Sequence, residues 1–293
     1  MYRKPLVELK QIINKKIMTN KYAISPTEAK LMSTTDLREN FLLQQLVQAD
    51  ECTLIYTHYD RMIVGGVMPV SKEVLLPNGP ELRADAFLQR REIGIINVAG
   101  KGVVRSGEES FSLSKLGCVY LGMGAGNVSF LSEDANDPAV FFMLSCPAHH
   151  TYPNRSMTKE EASPVNLGTV ETANERTIYK YIHNDGISSC QLVMGLTVLK
   201  NGSVWNTMPS HTHDRRMEAY FYFDVKEGQR VFHMMGHPQE TRHLVVGNYE
   251  AIVSPPWSIH SGCGTSNYSF IWGMAGENKD FTDMDAVNIA AIL

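Results

Sequence analysis

From about residue 52 onward, the apolar residues of this 293-residue chain come in short runs broken by Gly, Pro, Asn and Asp, and no helical period longer than two turns intervenes. The runs CTLIYTHY, REIGIINVAG and AVFFMLSC occupy the first half, and CQLVMGLTVL, MEAYFYFDV and YSFIWGM the second. Strands this short and this close, with so few helices between them, predict a β-sandwich or barrel and exclude a parallel α/β sheet. A polar stretch from Pro147 to Asn174, with three prolines, separates the two β-rich blocks. The expected organisation is a mostly β chain of two tandem barrels or jelly rolls with short N-terminal helices. An extension covers 1–17, a first barrel 18–150, a connector 151–175 and a second barrel 176–293.

Two helices are predicted ahead of the first barrel. Ser25-Pro26-Thr27-Glu28 spells a capping box with proline in the first turn. Thr35 or Asp36 is the expected cap of a second helix running through Leu37, Phe41, Leu42 and Leu46. Residues 1–17 carry basic side chains but interrupt their apolar run every two or three positions, so no secretory leader is expected there.

Composition excludes several classes. Lys and Arg number 27 against 31 Asp and Glu, with no basic block, which leaves no footprint for general nucleic-acid binding. No segment approaches the ~20 continuous apolar residues of a membrane helix. The five cysteines are scattered without a CxxC pair, so they read as small core residues in a reducing compartment, and a cytoplasmic protein is expected. The four Asn-x-Ser triplets, at Asn127, Asn154, Asn201 and Asn267, are then unused.

The chemistry gathers in the second block, in Pro209-Ser210-His211-Thr212-His213-Asp214-Arg215-Arg216-Met217-Glu218 and in Pro255-Pro256-Trp257-Ser258-Ile259-His260. Alternation on a strand points His211 and His213 the same way. Glu218 has the opposite parity, and a turn or bulge through Asp214–Arg216 would restart the next strand with Glu218 facing the same interior. With His260 from a separate strand, three imidazoles and one carboxylate suit Zn²⁺, Fe²⁺, Mn²⁺ or Ni²⁺. Ten histidines make a chance His-x-His unremarkable, so the added Glu218 and His260 carry the reading.

This order of ligands resembles the metal site of the cupin superfamily, although Trp257 and Gly264 stand where many cupins have Gly and Asn. Within that superfamily, longer runs resemble the 5-keto-4-deoxyuronate isomerase family. They are Tyr59-Asp60-Arg61-Met62-Ile63-Val64-Gly65-Gly66, Arg90-Arg91-Glu92-Ile93-Gly94, Ser203 to Pro209, Arg215 to Phe223, Pro238-Gln239-Glu240-Thr241-Arg242-His243, Trp257 to Ser261, and Phe270 to Asn278. The resemblance extends from about Lys21 to the end of the chain. It implies a bicupin ketol-isomerase of pectin and uronate breakdown, converting 5-dehydro-4-deoxy-D-glucuronate to 3-deoxy-D-glycero-2,5-hexodiulosonate. It also implies a hexamer with one zinc per subunit, held by His211, His213, Glu218 and His260.

Moving hydrogen between C1 and C2 of a hydroxy-aldehyde suits a Lewis-acidic ion, by an enediolate or a hydride shift, and the former needs a base in reach. Glu240 and His243 of the PQETRH run, or hydroxide on the metal, are the candidate bases, with Arg242 and Lys180 beside them as further catalytic candidates. A substrate carboxylate needs a cation, and Arg176, Lys180, Arg216 and Arg242 all lie near the right motifs, arginine being favoured for a bidentate grip. Tyr220 and Tyr222 share parity with Glu218 and are candidates to line the same lumen.

Other features read more plainly. Gly122-Met123-Gly124-Ala125-Gly126 precedes a strand-like run and is expected to be a turn, not a nucleotide loop. His149-His150 is expected to be structural or to line the contact between barrels, and the first barrel is expected to hold no metal. Arg90-Arg91 reads equally as a substrate or subunit contact and as a solvated or salt-bridged pair. The rival functions are a cupin dioxygenase, an isomerase of another deoxy-uronate or an inositol-derived sugar, and a non-catalytic sugar-binding bicupin. Oxygen dependence separates the first, and an intact ligand set disfavours the last.

Overall fold

The computed structural model describes residues 17–293, so the extension expected at 1–17 lies, apart from Ile17, outside the described residues. The two β-rich blocks fold to the same plan, each a seven-stranded sheet facing a four-stranded one. In the first block the large sheet runs Met18–Lys21, Cys52–Thr57, Ile63–Val67, Phe141–Pro147, Arg91–Asn97, Cys118–Leu121, Arg155–Met157. In the second it runs Val165–Leu167, Arg176–Ile182, Val193–Leu199, Ser269–Gly276, Arg216–Phe223, Glu250–Ser254, Leu42–Leu43. All pairings inside the large sheets are antiparallel except that of Met18–Lys21 with Cys52–Thr57.

The central strands are buried on both faces, which explains why they read as continuous apolar runs with little alternation. Along Arg91–Asn97, Ile93 and Ile95 fill the first barrel's own core, while Ile96 joins a second cluster shared between the barrels. Along Arg216–Phe223, Ala219, Phe221 and Phe223 belong to that shared cluster. Phe142 and Phe221 stack across it with ring centroids 4.4 Å apart. Each such side chain contributes ~1.5–3 kcal/mol by leaving water. The sheets approach so closely that a Cβ on Gly94 would stand 2.6 Å from Ile182 Cδ1, and one on Gly273 would stand 2.2 Å from Leu144 Cδ1.

Polar clamps set the relation of the barrels. Glu92 is fully buried and accepts from the Tyr120 hydroxyl at 2.7 Å and from the backbone amides of Cys190, Gln191 and Leu192 at 2.6, 2.9 and 2.9 Å. A buried carboxylate without such donors would cost several kcal/mol. Asp60 likewise accepts from the Met217 amide at 2.8 Å, one residue before Glu218. The His150 backbone reaches Cys190 Sγ, at 3.3 Å from its amide and 3.1 Å from its carbonyl, so this histidine stands at the contact between barrels while its ring remains outside.

Helix α1 (Pro26–Leu31) has the expected Ser25–Glu28 capping box. Helix α2 (Thr34–Phe41) corrects the sequence reading: its cap is Ser33, and Asp36 is the third helical residue that completes the box. The helix also stops before Leu42 instead of running to Leu46, because Leu42 and Leu43 are both buried and pair as a short strand with Glu250–Ser254. Alternate faces of a strand bury adjacent leucines; one face of a helix does not. These two helices therefore lie against the second barrel, although they precede the first in sequence.

The polar stretch 151–175 is partly stranded, since Arg155–Met157 closes the first large sheet and Val165–Leu167 opens the second. Gly122–Gly126 is a turn leading into the Val128–Ser132 strand. All five cysteines are free. Among the described residues no helix is long and apolar enough to cross a membrane.

Candidate metal centre

His211 lies on a two-residue strand, His211–Thr212, that pairs with Asp285–Ala286 near the C-terminus. The chain then turns, with the Arg216 amide bonded to the His213 carbonyl at 3.1 Å, and enters the strand that carries Glu218. His260 follows the Pro255–Ser258 turn and packs edge-on to His211, with ring centroids 4.5 Å apart. One donor atom from each of these four side chains lies within 4.8 Å of the others, and His213, Glu218 and His260 are buried. Among the described residues no other trio of such side chains is close enough to share an ion.

The hydrogen bonds test whether the set fits a cation. His213 Nδ1 stands 3.0 Å from the Arg216 carbonyl, which only accepts, so Nδ1 carries the proton and Nε2 presents its lone pair. That lone pair faces Glu218 Oε2 at 3.2 Å. His260 Nε2 lies 2.9 Å from the same oxygen and 2.9 Å from His211 Nε2. Acceptors this close and this dry repel unless a proton or a cation sits among them. Burial pushes the His211 imidazole down to about 3, and the neighbouring His260 ring adds to the effect. Burial would raise the Glu218 carboxyl, but the His260 and His213 imidazoles gathered at its Oε2 outweigh it and hold the group far below the usual carboxylate range. For His213, burial acts downward and the Glu218 carboxylate, acting upward, prevails. A carboxylate kept ionised beside a neutral His211 suits a divalent metal.

The cluster opens into a cavity of about 280 Å³. Its walls are largely apolar, with Ile178, Met208, Phe270, Trp272, Phe281 and Met284 among them. Arg176 is the one lysine or arginine in the lining. Its Nη1 donates to the Asn174 carbonyl at 2.9 Å, and burial lowers the guanidinium pKa. Tyr220 also lines the cavity, its hydroxyl 2.9 Å from Thr207 Oγ1 and its ring edge-on to His260. Burial holds that hydroxyl protonated, well above the ordinary tyrosine range.

Other residues singled out by sequence lie elsewhere. Arg216 is fully buried and donates to the carbonyls of Asp280 and Asp283 at 2.7 and 2.9 Å, which fastens the C-terminal strap bearing Phe281 and Met284 over the cavity. Lys180 does not line the cavity; its ammonium lies 5.2 Å from the Phe281 ring centroid, behind the wall. Tyr222 is deeper in the barrel, its hydroxyl 2.7 Å from His233 Nδ1. Glu240, Arg242 and His243 sit on the Glu240–Val246 strand. There Glu240 pairs with Arg242 at 2.9 Å and Lys30 at 3.5 Å, beside a different cavity under α1, and His243 is exposed. The structure brings none of these three to the metal cavity. Conversely, Thr207 and Trp272 reach it from runs of the family resemblance that gave neither residue a role, and Phe281 and Met284 reach it without a motif to announce them. The parity of Trp272 with Met274 on one strand was the available signal.

Two β-barrels in tandem, the second enclosing a buried three-histidine, one-carboxylate cluster beneath an open cavity, define a bicupin with one metal-competent centre among the described residues. Among solved structures the chain is similar to an IolB-like protein of Salmonella typhimurium, with a TM-score of 0.61 at 15% identity over 77% of this chain and 87% of that one. It is also similar in fold to vicilin from tomato, with a TM-score of 0.52 at 12% identity over 74% of this chain and 75% of the other. The chain belongs to the KduI/IolB family, which it matches over residues 41–291. Its curated relatives include 4-deoxy-L-threo-5-hexosulose-uronate ketol-isomerase of Halalkalibacterium halodurans, 52% identical over 93% of this chain and 99% of that protein. The enzyme of the same name from Lachnoclostridium phytofermentans is 53% identical over 91% and 97%.

Proposed function

We propose that this chain is a ketol-isomerase of 4-deoxy-L-threo-5-hexosulose uronate, serving uronate and pectin breakdown, with its chemistry confined to the second barrel. The observation that carries the reading is the pairing of a three-histidine, one-carboxylate cluster with a single cation, Arg176, in one cavity of sugar size. His211, His213, Glu218 and His260 would hold a divalent ion, zinc in our reading, at one per chain. When bound, such an ion supplies Lewis acidity to the carbonyl and hydroxyl oxygens of a hydroxy-aldehyde.

The chain's own groups do the rest. Arg176 binds the substrate carboxylate, because a half-buried guanidinium with apolar neighbours gains more from an anion than an exposed lysine does. Glu218 Oε2 is engaged by two imidazoles, whereas Oε1 makes no hydrogen bond to a described residue and is free to take the proton from C2 and return it to C1. The Tyr220–Thr207 hydroxyl pair passes the remaining proton between O2 and O1, so no proton is lost to solvent. Apolar walls and the strap over the cavity exclude water from the charged intermediate stage. A hexamer in the cytoplasm completes the reading, supported by the family resemblance and, for the compartment, by five free thiols.

The test is an anaerobic incubation of zinc-loaded protein with 4-deoxy-L-threo-5-hexosulose uronate, followed by NMR. Appearance of the 2,5-diketo acid without oxygen supports the isomerase. Turnover that requires oxygen would point to a dioxygenase instead.

A further inference from the structure

The two large sheets can be superposed by register alone. In the second barrel Gly195 pairs with Trp272, and Trp272 with Tyr220. In the first, Gly65 pairs with Met143, and Met143 with Ile95. Both glycines are crowded by that partner side chain: a Cβ would meet Trp272 at 2.4 Å or Met143 Cγ at 2.8 Å. Carried along the strands, Ile93 takes the place of Glu218, Leu121 that of Ser254, Ser145 that of Met274 and Arg91 that of Arg216. The metal position of the first barrel is thus filled with hydrocarbon, yet the arginine beside it is kept.

The two arginines are satisfied differently. Arg216 is tied down by the strap carbonyls and lies 3.9 Å from the Asp283 carboxylate. Arg91 is only 6% exposed and donates from Nε to Ser145 Oγ at 3.1 Å and from Nη2 to the carbonyls of Arg61 and Ser145 at 2.7 Å each. Its Nη1 has no partner among the described residues, and it makes no ion pair there. The guanidinium lines a cavity of about 310 Å³ at the mouth of the first barrel, together with Arg90, Tyr56, Phe87, His149 and Glu81. Arg90 is exposed, donates only to the carbonyls of Leu82 and Arg83, and forms no ion pair among the described residues. The Arg91 charge lies 6.0 Å from the Tyr56 ring centroid. A charge so desolvated with no carboxylate in ion-pair contact is costly, Glu92 acting on it without touching it, and an oxyanion between the two guanidiniums offsets that cost. Glu81 is the one carboxylate in the lining and offers an acceptor to a hydroxyl.

We propose that the mouth of the first barrel is a second ligand site, which holds the carboxylate or phosphate oxygens of a small polyol anion between Arg90 and Arg91 with its carbon skeleton against Tyr56 and Phe87. The site stands on its own geometry and does not depend on the isomerase reading. Calorimetric titration of the full chain with D-galacturonate, inorganic phosphate and neutral D-galactose tests it, in wild type and in His211→Ala, Arg90→Gln and Arg91→Gln. Saturable anion binding should survive His211→Ala, weaken about tenfold in Arg90→Gln, vanish in Arg91→Gln and be absent for galactose. Galacturonate binding well above phosphate would identify a sugar acid as the ligand, and equal binding a general oxyanion; either supports the site. Should Arg91→Gln fail to fold, the surface variant Arg90→Gln decides. No saturable binding of either anion up to about 50 mM, or binding indifferent to Arg90→Gln, would overturn the proposal.

Discussion

The first and second barrels share strand order, register and even the crowded glycines Gly65 and Gly195, yet they differ in what stands at one end of the sheet. Where the second barrel has Glu218, flanked by Tyr220 and by Ser254 beneath His260, the first has Ile93, Ile95 and Leu121, all fully buried in an apolar core. The frame is indifferent to which it carries, because the backbone pairing of the strands does not use these side chains. The difference teaches that the chemistry of this fold is a local matter of a few inward positions. The rest of the sheet is support.

The comparison breaks most severely by exchanging the two key positions. Glu218→Ile should abolish turnover, by about 10³-fold or more, because it removes both the anionic ligand and the proton acceptor. The converse change, Ile93→Glu, should create no metal site, since no imidazole stands near it. It should instead destabilise the protein by about 3 kcal/mol or more, as an unpaired carboxylate is forced into hydrocarbon. Denaturant unfolding and metal content of the Ile93→Glu variant measure this directly, and an Ile93→Glu protein of unchanged stability would mean that the first lumen is wetter than its packing implies.

Next in size is the carboxylate anchor. Arg176→Met should raise KM for the uronate about 30- to 100-fold, equivalent to ~2–3 kcal/mol, while kcat falls much less, and Arg176→Lys should recover part of the loss. Steady-state kinetics separate the two parameters. An unchanged KM would move the anchor elsewhere.

The smallest effect concerns the strap, a feature without counterpart at the first barrel's mouth. Hydrogen bonds from Arg215 and then Asn278 hold the Asp283 carboxyl well below the ordinary aspartate value of 3.8. A carboxylate whose pKa is depressed on folding contributes its tether above the unfolded value and loses it as the pH falls through the folded one. Hydrogen exchange in residues 280–286 should therefore quicken progressively below the ordinary aspartate value, while strand Arg91–Asn97 stays protected. Uniform exchange across both regions would show that the strap is not held this way.

The same comparison explains what sequence alone reveals. The β class, the Ser25 capping box and the turn at Gly122–Gly126 follow from local chemistry and were readable in full. The grouping of His211, His213 and Glu218 was readable too, because a short turn joins them, and His260 followed from its distinctive proline-led approach. What failed to read was decided at long range. Ser33 caps α2 because Asp36 completes its box, a choice hidden among several adjacent Ser, Thr and Asp residues. Leu42–Leu43 became a strand because residues 251–252, over two hundred positions later, offered an open edge. Glu240 and His243 carry suitable groups on a hairpin that points away from the cavity, and Phe281 and Met284 arrive over it only because Arg216 anchors their segment. No local spacing encodes either fact.

The central claim is that one barrel does chemistry and the other does not, and metal stoichiometry tests it most directly. Protein dialysed against trace zinc should retain about one ion per chain by mass spectrometry, and His211→Ala and His260→Ala should each lose that ion and turnover together while circular dichroism stays unchanged. Two ions per chain, or full zinc occupancy and activity in either variant, would contradict it.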